Sequence, residues 1–330
     1  MASSQPIHIG ESRASGVRRA LGSPYLALVL TSVIWGSLHP AGKLALREVQ
    51  PIQLILARVV LACLTLLVIL SLQGKAGTVI HELRSRPRTM AFLGFVSFFG
   101  SSGCSMIALS LLPASVSSLL SNVSPLFVAL GTLAIARGRT QPGVLVGVLV
   151  GFVGLGIVVF GENPVDLGGA GLNPLGVGLA LLGSFFWAIY IGVGQRAMAR
   201  GNPLAVVVAS GVFGGTPWVV LSLANGQFVQ MFNFPPSIWG LLVYVGVIGT
   251  GLTYGLWTAA LTRLSAASVA VFQYAIPFFA VILSVLILGD HVTLPLILGG
   301  IGIVAGIAVT QNATRTRTKR RERDAASSRA

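Results

Sequence analysis

Long apolar stretches dominate the pattern of this 330-residue chain, and short polar breaks separate them. A helix needs about 20 mostly apolar residues to cross the hydrocarbon core of a bilayer. Stretches near that length occur ten times, at residues 24–46, 52–72, 90–111, 114–136, 142–160, 174–198, 203–223, 237–261, 266–288 and 293–311. The breaks between them carry Pro, Gly, Asn or charged residues. The pattern therefore predicts an all-α integral membrane protein with ten transmembrane helices.

Composition agrees with lipid as the surrounding solvent. Hydrophobic residues make up 54% of the chain and charged residues only 9%, whereas about a quarter of a typical soluble domain is charged. Glycine occurs 41 times, and small residues let membrane helices approach each other closely. We therefore expect tightly packed helices whose outer surface faces lipid.

The positions of the basic residues predict how the chain is oriented. Lys and Arg accumulate in cytosolic loops. With the N-terminus inside, 19 basic residues fall on the inner side, and only Lys43, Arg47 and Arg58 fall on the outer side or at helix mouths. Both termini are thus predicted to be cytosolic. The basic tail could also form a patch for nucleic acid or anionic lipid, but topology alone explains its charge, so no nucleic-acid partner is predicted.

A single offset of 152 residues superposes the two halves of the chain without gaps. Matched pairs include Trp35 with Trp187, Pro51 with Pro203, Pro125 with Pro277, Gly147 with Gly299, and Gly154 with Gly306. Such matches at one spacing indicate a duplication. Each copy holds five predicted spans, an odd number, so we expect two inverted five-helix repeats. The predicted segments are a cytosolic tail 1–23, a first repeat 24–160, an outer loop 161–173, a second repeat 174–311 and a basic cytosolic tail 312–330.

Several motifs resemble those of a known family. Trp-Gly-Ser at 35–37, Lys43 beyond it, and an Ala-Ser-Val segment before Pro125 that recurs before Pro277 are similar to the EamA type of the drug/metabolite transporter superfamily. The resemblance covers about residues 24–311. It implies a ten-helix carrier of the bacterial inner (plasma) membrane, most often an exporter of amino acids or related metabolites, that works by alternating access. Two departures are His39-Pro40 after the first motif and Trp187-Ala188-Ile189 in its place in the second half.

Polar and aromatic side chains inside the spans are candidates for binding a solute, because such groups are costly in lipid. Trp35, His39 and Lys43 are spaced by four and share one helical face. The candidates of the first repeat are Trp35, His39, Lys43, Ser102 and Asn122. Those of the second repeat are Trp187, Tyr190, Gln195, Tyr254, Trp257, Gln273 and Tyr274.

Several of these side chains have two open interpretations. Lys43 either holds a substrate carboxylate or extends to water, and His39 either carries a coupling proton or is a structural residue. The aromatic rings either stack on the solute or anchor helices at the interface. Pro125 and Pro277 are expected to kink their helices and to free a carbonyl four residues earlier, either for gating or only for packing.

Acidic residues are absent from the interior of the predicted spans. All eight fall in loops, tails or helix ends, namely Glu11, Glu48, Glu82, Glu162, Asp166, Asp290, Glu322 and Asp324. Proton-coupled export of lipophilic cations requires a carboxylate within the membrane. We therefore expect a neutral, zwitterionic or anionic solute, moved by facilitated diffusion or by coupling through His39.

Transport of a small metabolite such as an amino acid is the predicted function. Nucleobases, vitamins, organic anions and drugs are alternative solutes, and a channel or a non-transporting scaffold is an alternative role. An enzyme would need a nucleophile with a base or a metal cluster, and the four histidines, at 8, 39, 81 and 291, are too scattered to supply one. No enzyme activity, cofactor or metal is predicted. The expected partners are the solute and membrane lipid, and no oligomeric state is predicted.

Overall fold

The computed structural model describes residues 24–135, 142–161, 172–261, 272 and 275–327, and all regular structure in these ranges is helical. The first half contains α1 (Pro24–Ala45), α2 (Pro51–Leu72), α3 (Gly77–Ser85), α4 (Pro87–Gly94), the π-helix π1 (Phe95–Ser101), α5 (Ser102–Leu111), α6 (Ala114–Ser121), α7 (Ser124–Ile135) and α8 (Pro142–Gly161). The second half contains α9 (Pro174–Met198), α10 (Pro203–Ala224), α11 (Gln227–Gln230), a 3₁₀ turn (Met231–Asn233), α12 (Pro236–Val243), π2 (Tyr244–Leu252), α13 (Thr253–Leu261), α14 (Ala275–Leu288) and α15 (Leu294–Ser327).

Seven helical segments of the described chain are long and apolar enough to cross a membrane. Three shorter apolar helices, Pro142–Val158, Ala275–Leu288 and Leu294–Thr310, fall on the remaining predicted stretches. Large apolar side chains face outward, including Val153 at 63% and Leu286 at 74% exposure, as expected for a surface in contact with lipid. The prediction of an all-α, multi-pass membrane protein is confirmed, while ten crossings stay a prediction.

Helix starts and ends follow local chemistry. Proline occupies the first turn of α2, α9 and α10, where its missing N–H costs nothing. The Asn202 side chain accepts hydrogen bonds from the backbone N–H groups of Leu204 and Ala205, at 3.0 and 3.4 Å, and so caps α10. Gly74 and Gly226, which lie 152 residues apart, follow α2 and α10 with the same φ of 67°, a left-handed conformation that favours glycine. The two halves therefore end these helices in the same way.

The structure departs from four of the predicted spans. The predicted 114–136 helix is broken at Asn122 and Val123 into α6 and α7. The predicted 90–111 and 237–261 helices are continuous, but each contains a π-helical segment. The last helix continues beyond the apolar stretch to Ser327. Residues 312–327 contain neither Gly nor Pro, and they include several good helix formers.

Counterpart helices of the two halves pack against each other in opposite directions. The bounds of α10 are those of α2 shifted by 152 residues. Along this pair, Gly211 lies opposite Cys63 and Gly215 lies opposite Val59, so that the two chains run antiparallel.

The same arrangement recurs between α8 and α15. Gly147 lies opposite Gly306, and Gly154 lies opposite Gly299. A Cβ atom on Gly154 would lie 2.7 Å from the carbonyl oxygen of Gly299, and one on Gly306 would lie 2.5 Å from the carbonyl oxygen of Gly147. These glycines therefore allow two antiparallel backbones to touch.

Candidate functional site

A cavity of about 180 Å³ lies between the two halves of the molecule. For comparison, a protein cavity of about 150 Å³ accommodates a benzene molecule. The polar lining of the cavity between the two halves consists of His39, Arg58, Ser101, Ser102, Ser105, Ser121, Asn122, Ser124 and Thr250. Its aromatic lining consists of Trp35, Phe98, Trp187 and Tyr254. A space of this kind suits a small solute that has both polar and apolar parts.

Eight of the residues that the sequence singled out line this cavity. They are Trp35, His39, Ser102, Asn122, Pro125, Trp187, Tyr254 and Pro277. They come from α1, α5, α7, α9, α13 and α14 and from the break between α6 and α7. Both halves therefore contribute to one site, although these residues are far apart in the sequence.

Four other predicted residues lie outside the lining. Tyr190 is buried behind it and stacks on Trp187, with ring centroids 4.9 Å apart. Trp257 packs behind Trp35, with ring centroids 5.0 Å apart. Gln195 is exposed near the C-terminal end of α9. Lys43, the fourth, lies at the end of α5.

Lys43 binds the end of a helix. Its Nζ donates hydrogen bonds to the carbonyl oxygens of Leu109, Ser110 and Leu112, at 2.8, 3.2 and 2.7 Å. These carbonyls end α5, where unpaired acceptors and the helix dipole favour a cation. All three donors of the ammonium group are thus used within the protein. The last two predicted residues, Gln273 and Tyr274, lie outside the described residues.

Trp35 is fixed as a wall of the cavity. Its indole Nε1 donates a hydrogen bond of 2.9 Å to Thr253 Oγ1. Its ring also contacts the rings of Tyr254, edge-on at 6.1 Å, and of Trp257. Since Trp35 belongs to α1 and the other three belong to α13, this wall connects the two halves.

Arg58 lies in a different environment from the one that the sequence predicts. The charge pattern put it near a helix mouth, whereas in the structure it lines the cavity. Its Nε donates a hydrogen bond of 3.0 Å to Thr250 Oγ1 in π2. The sequence does contain an indication that Arg58 is a candidate site residue. Arg58 stands within the predicted span 52–72, and no acidic residue stands within any predicted span.

The break between α6 and α7 forms another part of the lining. Pro125 is the second residue of α7, so it begins a helix instead of kinking one. It has no N–H to offer the carbonyl of Ser121, and this carbonyl accepts a hydrogen bond of 3.2 Å from the Ser184 hydroxyl of α9 instead. Pro277, its counterpart, lies within α14, and the kink expected there stays a prediction because residues 273 and 274 lie outside the described residues. Both prolines line the cavity, and Pro125 does so at a helix start.

A multi-pass helical bundle with a mixed polar and aromatic cavity between its halves is typical of membrane transport proteins. The model of the EamA-like transporter family matches the chain twice, over residues 22–160 and 174–311. The chain therefore belongs to the EamA-like transporter family, as its motifs predicted.

Individual relatives agree with this assignment. An uncharacterized transporter of Archaeoglobus fulgidus is 26% identical over 292 residues, which are 87% of this chain and 96% of that protein. A probable terminal-alkyne amino-acid exporter of Streptantibioticus cattleyicolor is 26% identical over 302 residues, which are 90% of this chain and 95% of that protein. A protein of known crystal structure shares the fold with a TM-score of 0.60 and 20% identity, over 89% of this chain and 99% of that one.

Proposed function

We propose that this protein is a secondary transporter that exports small metabolites such as amino acids by alternating access. The observation that carries the proposal is the cavity, because it lies between the halves and draws its lining from both of them. A rocking movement of one half against the other would expose such a site to each side of the membrane in turn. The relative named as a probable terminal-alkyne amino-acid exporter supports the solute class.

We further propose ten crossings in two inverted five-helix repeats. Two matches to one family model support the duplication. The antiparallel packing of α2 on α10 and of α8 on α15 supports the inversion, since these pairs are counterparts under the 152-residue offset. The basic residues favour cytosolic termini in a bacterial plasma membrane.

Within the cavity, we propose that Trp35, Trp187 and Tyr254 hold the apolar part of the solute, and that Ser102 and Asn122 bind its polar part. Asn122 Nδ2 already donates to the carbonyl oxygen of Ser118 at 2.8 Å, which leaves its Oδ1 as an acceptor for the solute. The proposed hinges are at Pro125, beside the break between α6 and α7, and at its counterpart Pro277.

Efflux from proteoliposomes tests the proposal. Vesicles that contain the full chain are loaded with a mixture of amino acids, and the external solution is sampled over time. We expect saturable efflux of a subset of them, above the efflux from protein-free vesicles. No efflux of any small solute would overturn the transport proposal, and flux that rises linearly with concentration would favour a channel.

A further inference from the structure

We propose that Arg58 is the residue that selects the solute, by binding a carboxylate group in the cavity. The inference rests on the proposed function, because it assigns a chemical class to the solute of that same site. Arg58 lies on the cavity wall, seven residues after Pro51 in the 22-residue helix α2. A charge at such a position is costly unless another group compensates it.

The hydroxyl of Thr250 fixes how the guanidinium points. Thr250 Oγ1 donates its hydrogen to the carbonyl oxygen of Val245 at 2.9 Å, five residues earlier in π2. A hydroxyl has one hydrogen, so this group can only accept the bond from Arg58 Nε. Arg58 is thereby held by one edge, and its Nη1 and Nη2 make no hydrogen bond to any described residue.

The protein supplies no counter-charge in the cavity. Neither Asp nor Glu is among the residues that line it, and all eight acidic residues of the sequence fall outside the interior of the predicted spans. The ion pair found within the described residues, Arg86 with Glu82, belongs to α3 and the residue that follows it. The negative charge that would compensate Arg58 must therefore come from the solute.

A carboxylate is the anion that fits this arrangement. The two Nη groups of a guanidinium match the two oxygens of a planar carboxylate. One guanidinium neutralises one monoanion, whereas a phosphate dianion would need a second permanent positive charge, and Arg58 is the Lys or Arg side chain found among the described residues that line the cavity. The remaining walls, Trp35, Trp187 and Tyr254, suit the organic part of a small acid or zwitterion.

Matched solutes and variants test the assignment. Binding to purified full-length protein is followed by tryptophan fluorescence with two pairs that differ in the carboxylate, benzoate with benzamide and L-leucine with L-leucinamide. We expect the wild-type protein to bind the acid of at least one pair about tenfold or more tightly than its amide. Arg58→Gln should reduce this preference to less than about twofold. Arg58→Lys should retain part of this preference, since lysine keeps the positive charge but lacks the paired N–H groups of the guanidinium.

Arg196→Gln is the matched control, because Arg196 is exposed at the end of α9, and it should keep the full preference. Equal binding of acid and amide by the wild-type protein would overturn the assignment, and so would a folded Arg58→Gln protein with the preference intact. Efflux measured in parallel separates the two proposals. Selective binding without flux would support the proposed role of Arg58 and overturn the transport function. Flux without any preference for acids over amides would support the transport function and overturn the proposed role of Arg58.

Discussion

The indole of Trp35 in α1 donates a hydrogen bond of 2.9 Å to the hydroxyl of Thr253 in α13, and this bond fixes one wall of the cavity across the two halves. Thr253 Oγ1 lies 2.8 Å from the carbonyl oxygen of Gly249, to which it can donate its own hydrogen. Thr253 is thus held by π2 and in turn holds the ring of Trp35.

Trp35→Phe keeps an aromatic wall and removes this bond. We expect solute binding to weaken about fivefold, the equivalent of about 1 kcal/mol for one hydrogen bond. The measurement is a calorimetric titration with a solute identified in the efflux assay. Trp239→Phe is the control, because Trp239 lies in α12 and does not line the cavity. Wild-type affinity in Trp35→Phe would show that the bond does not position the ring for binding.

Gly154→Ala tests the contact between α8 and α15. The new Cβ would lie 2.6 Å from the backbone nitrogen of Ile303, and backbone atoms cannot move aside as a side chain can. We expect a loss of about 1–3 kcal/mol in the free energy of unfolding, measured in detergent. Gly156→Ala is the control on the same helix, since its nearest neighbour would be Phe160 Cδ2 at 3.9 Å. That variant should be neutral or slightly stabilised by its better helix propensity.

Lys43→Met tests whether Lys43 has a structural role. The substitution removes three hydrogen bonds from the end of α5, and we expect a loss of about 1.5–3 kcal/mol in the free energy of unfolding. Lys75→Met, in an exposed loop, should change stability by less than about 0.5 kcal/mol. If Lys43 held the solute carboxylate, the variant would lose the preference for acids over amides. We expect that preference to remain.

Pro125→Ala tests the break between α6 and α7. Alanine restores the N–H that can bond to the carbonyl of Ser121, which favours one continuous helix across Asn122 and Val123. We expect efflux to fall several-fold while solute binding changes less than twofold, because a stiffer helix slows the conformational change. Pro203→Ala is the control, since Pro203 begins α10 and its missing N–H has no partner to lose. Equal efflux from both variants would argue against a hinge at Pro125.

His39→Gln tests coupling to protons. His39 lines the cavity, and its Nδ1 is buried without a hydrogen-bond partner among the described residues. If His39 carries the coupling proton, efflux from the variant should no longer respond to an imposed pH gradient. His81→Gln is the control, because His81 is exposed on α3. An unchanged response to the gradient in His39→Gln would assign the coupling to another group, and no response in the wild-type protein would indicate facilitated diffusion.

Much of the fold could be predicted from the sequence. The predicted bounds of α9 and the starts of α8 and α10 agree with the structure, because apolar length and a proline in the first turn mark these helices locally. A kink at Pro125 was predicted, but the full break at Asn122 and Val123 was not. The π-helices were not predicted either, because the apolar pattern continues across them. At the break, the carbonyl of Ser121 accepts a bond from Ser184 of another helix, a contact that the sequence pattern does not reveal.

The candidate site could be predicted only in part, and Lys43 and Arg58 show why. Both are cations near the predicted outer ends of their helices. In the structure, however, Lys43 caps the end of α5 and Arg58 lines the cavity. Spacing along one helix indicates which residues share a face, but not which neighbour that face meets.

The sequence by itself determined a membrane-embedded helical protein with an internal duplication, since a backbone in lipid must satisfy its hydrogen bonds within helices and these leave long apolar runs. Only the tertiary structure decided which side chains share the cavity. In a membrane, apolar residues cover both the lipid-facing surface and the contacts between helices, so the apolar pattern does not distinguish the two. The partners of Trp35 and Arg58 were therefore determined by packing across the two halves.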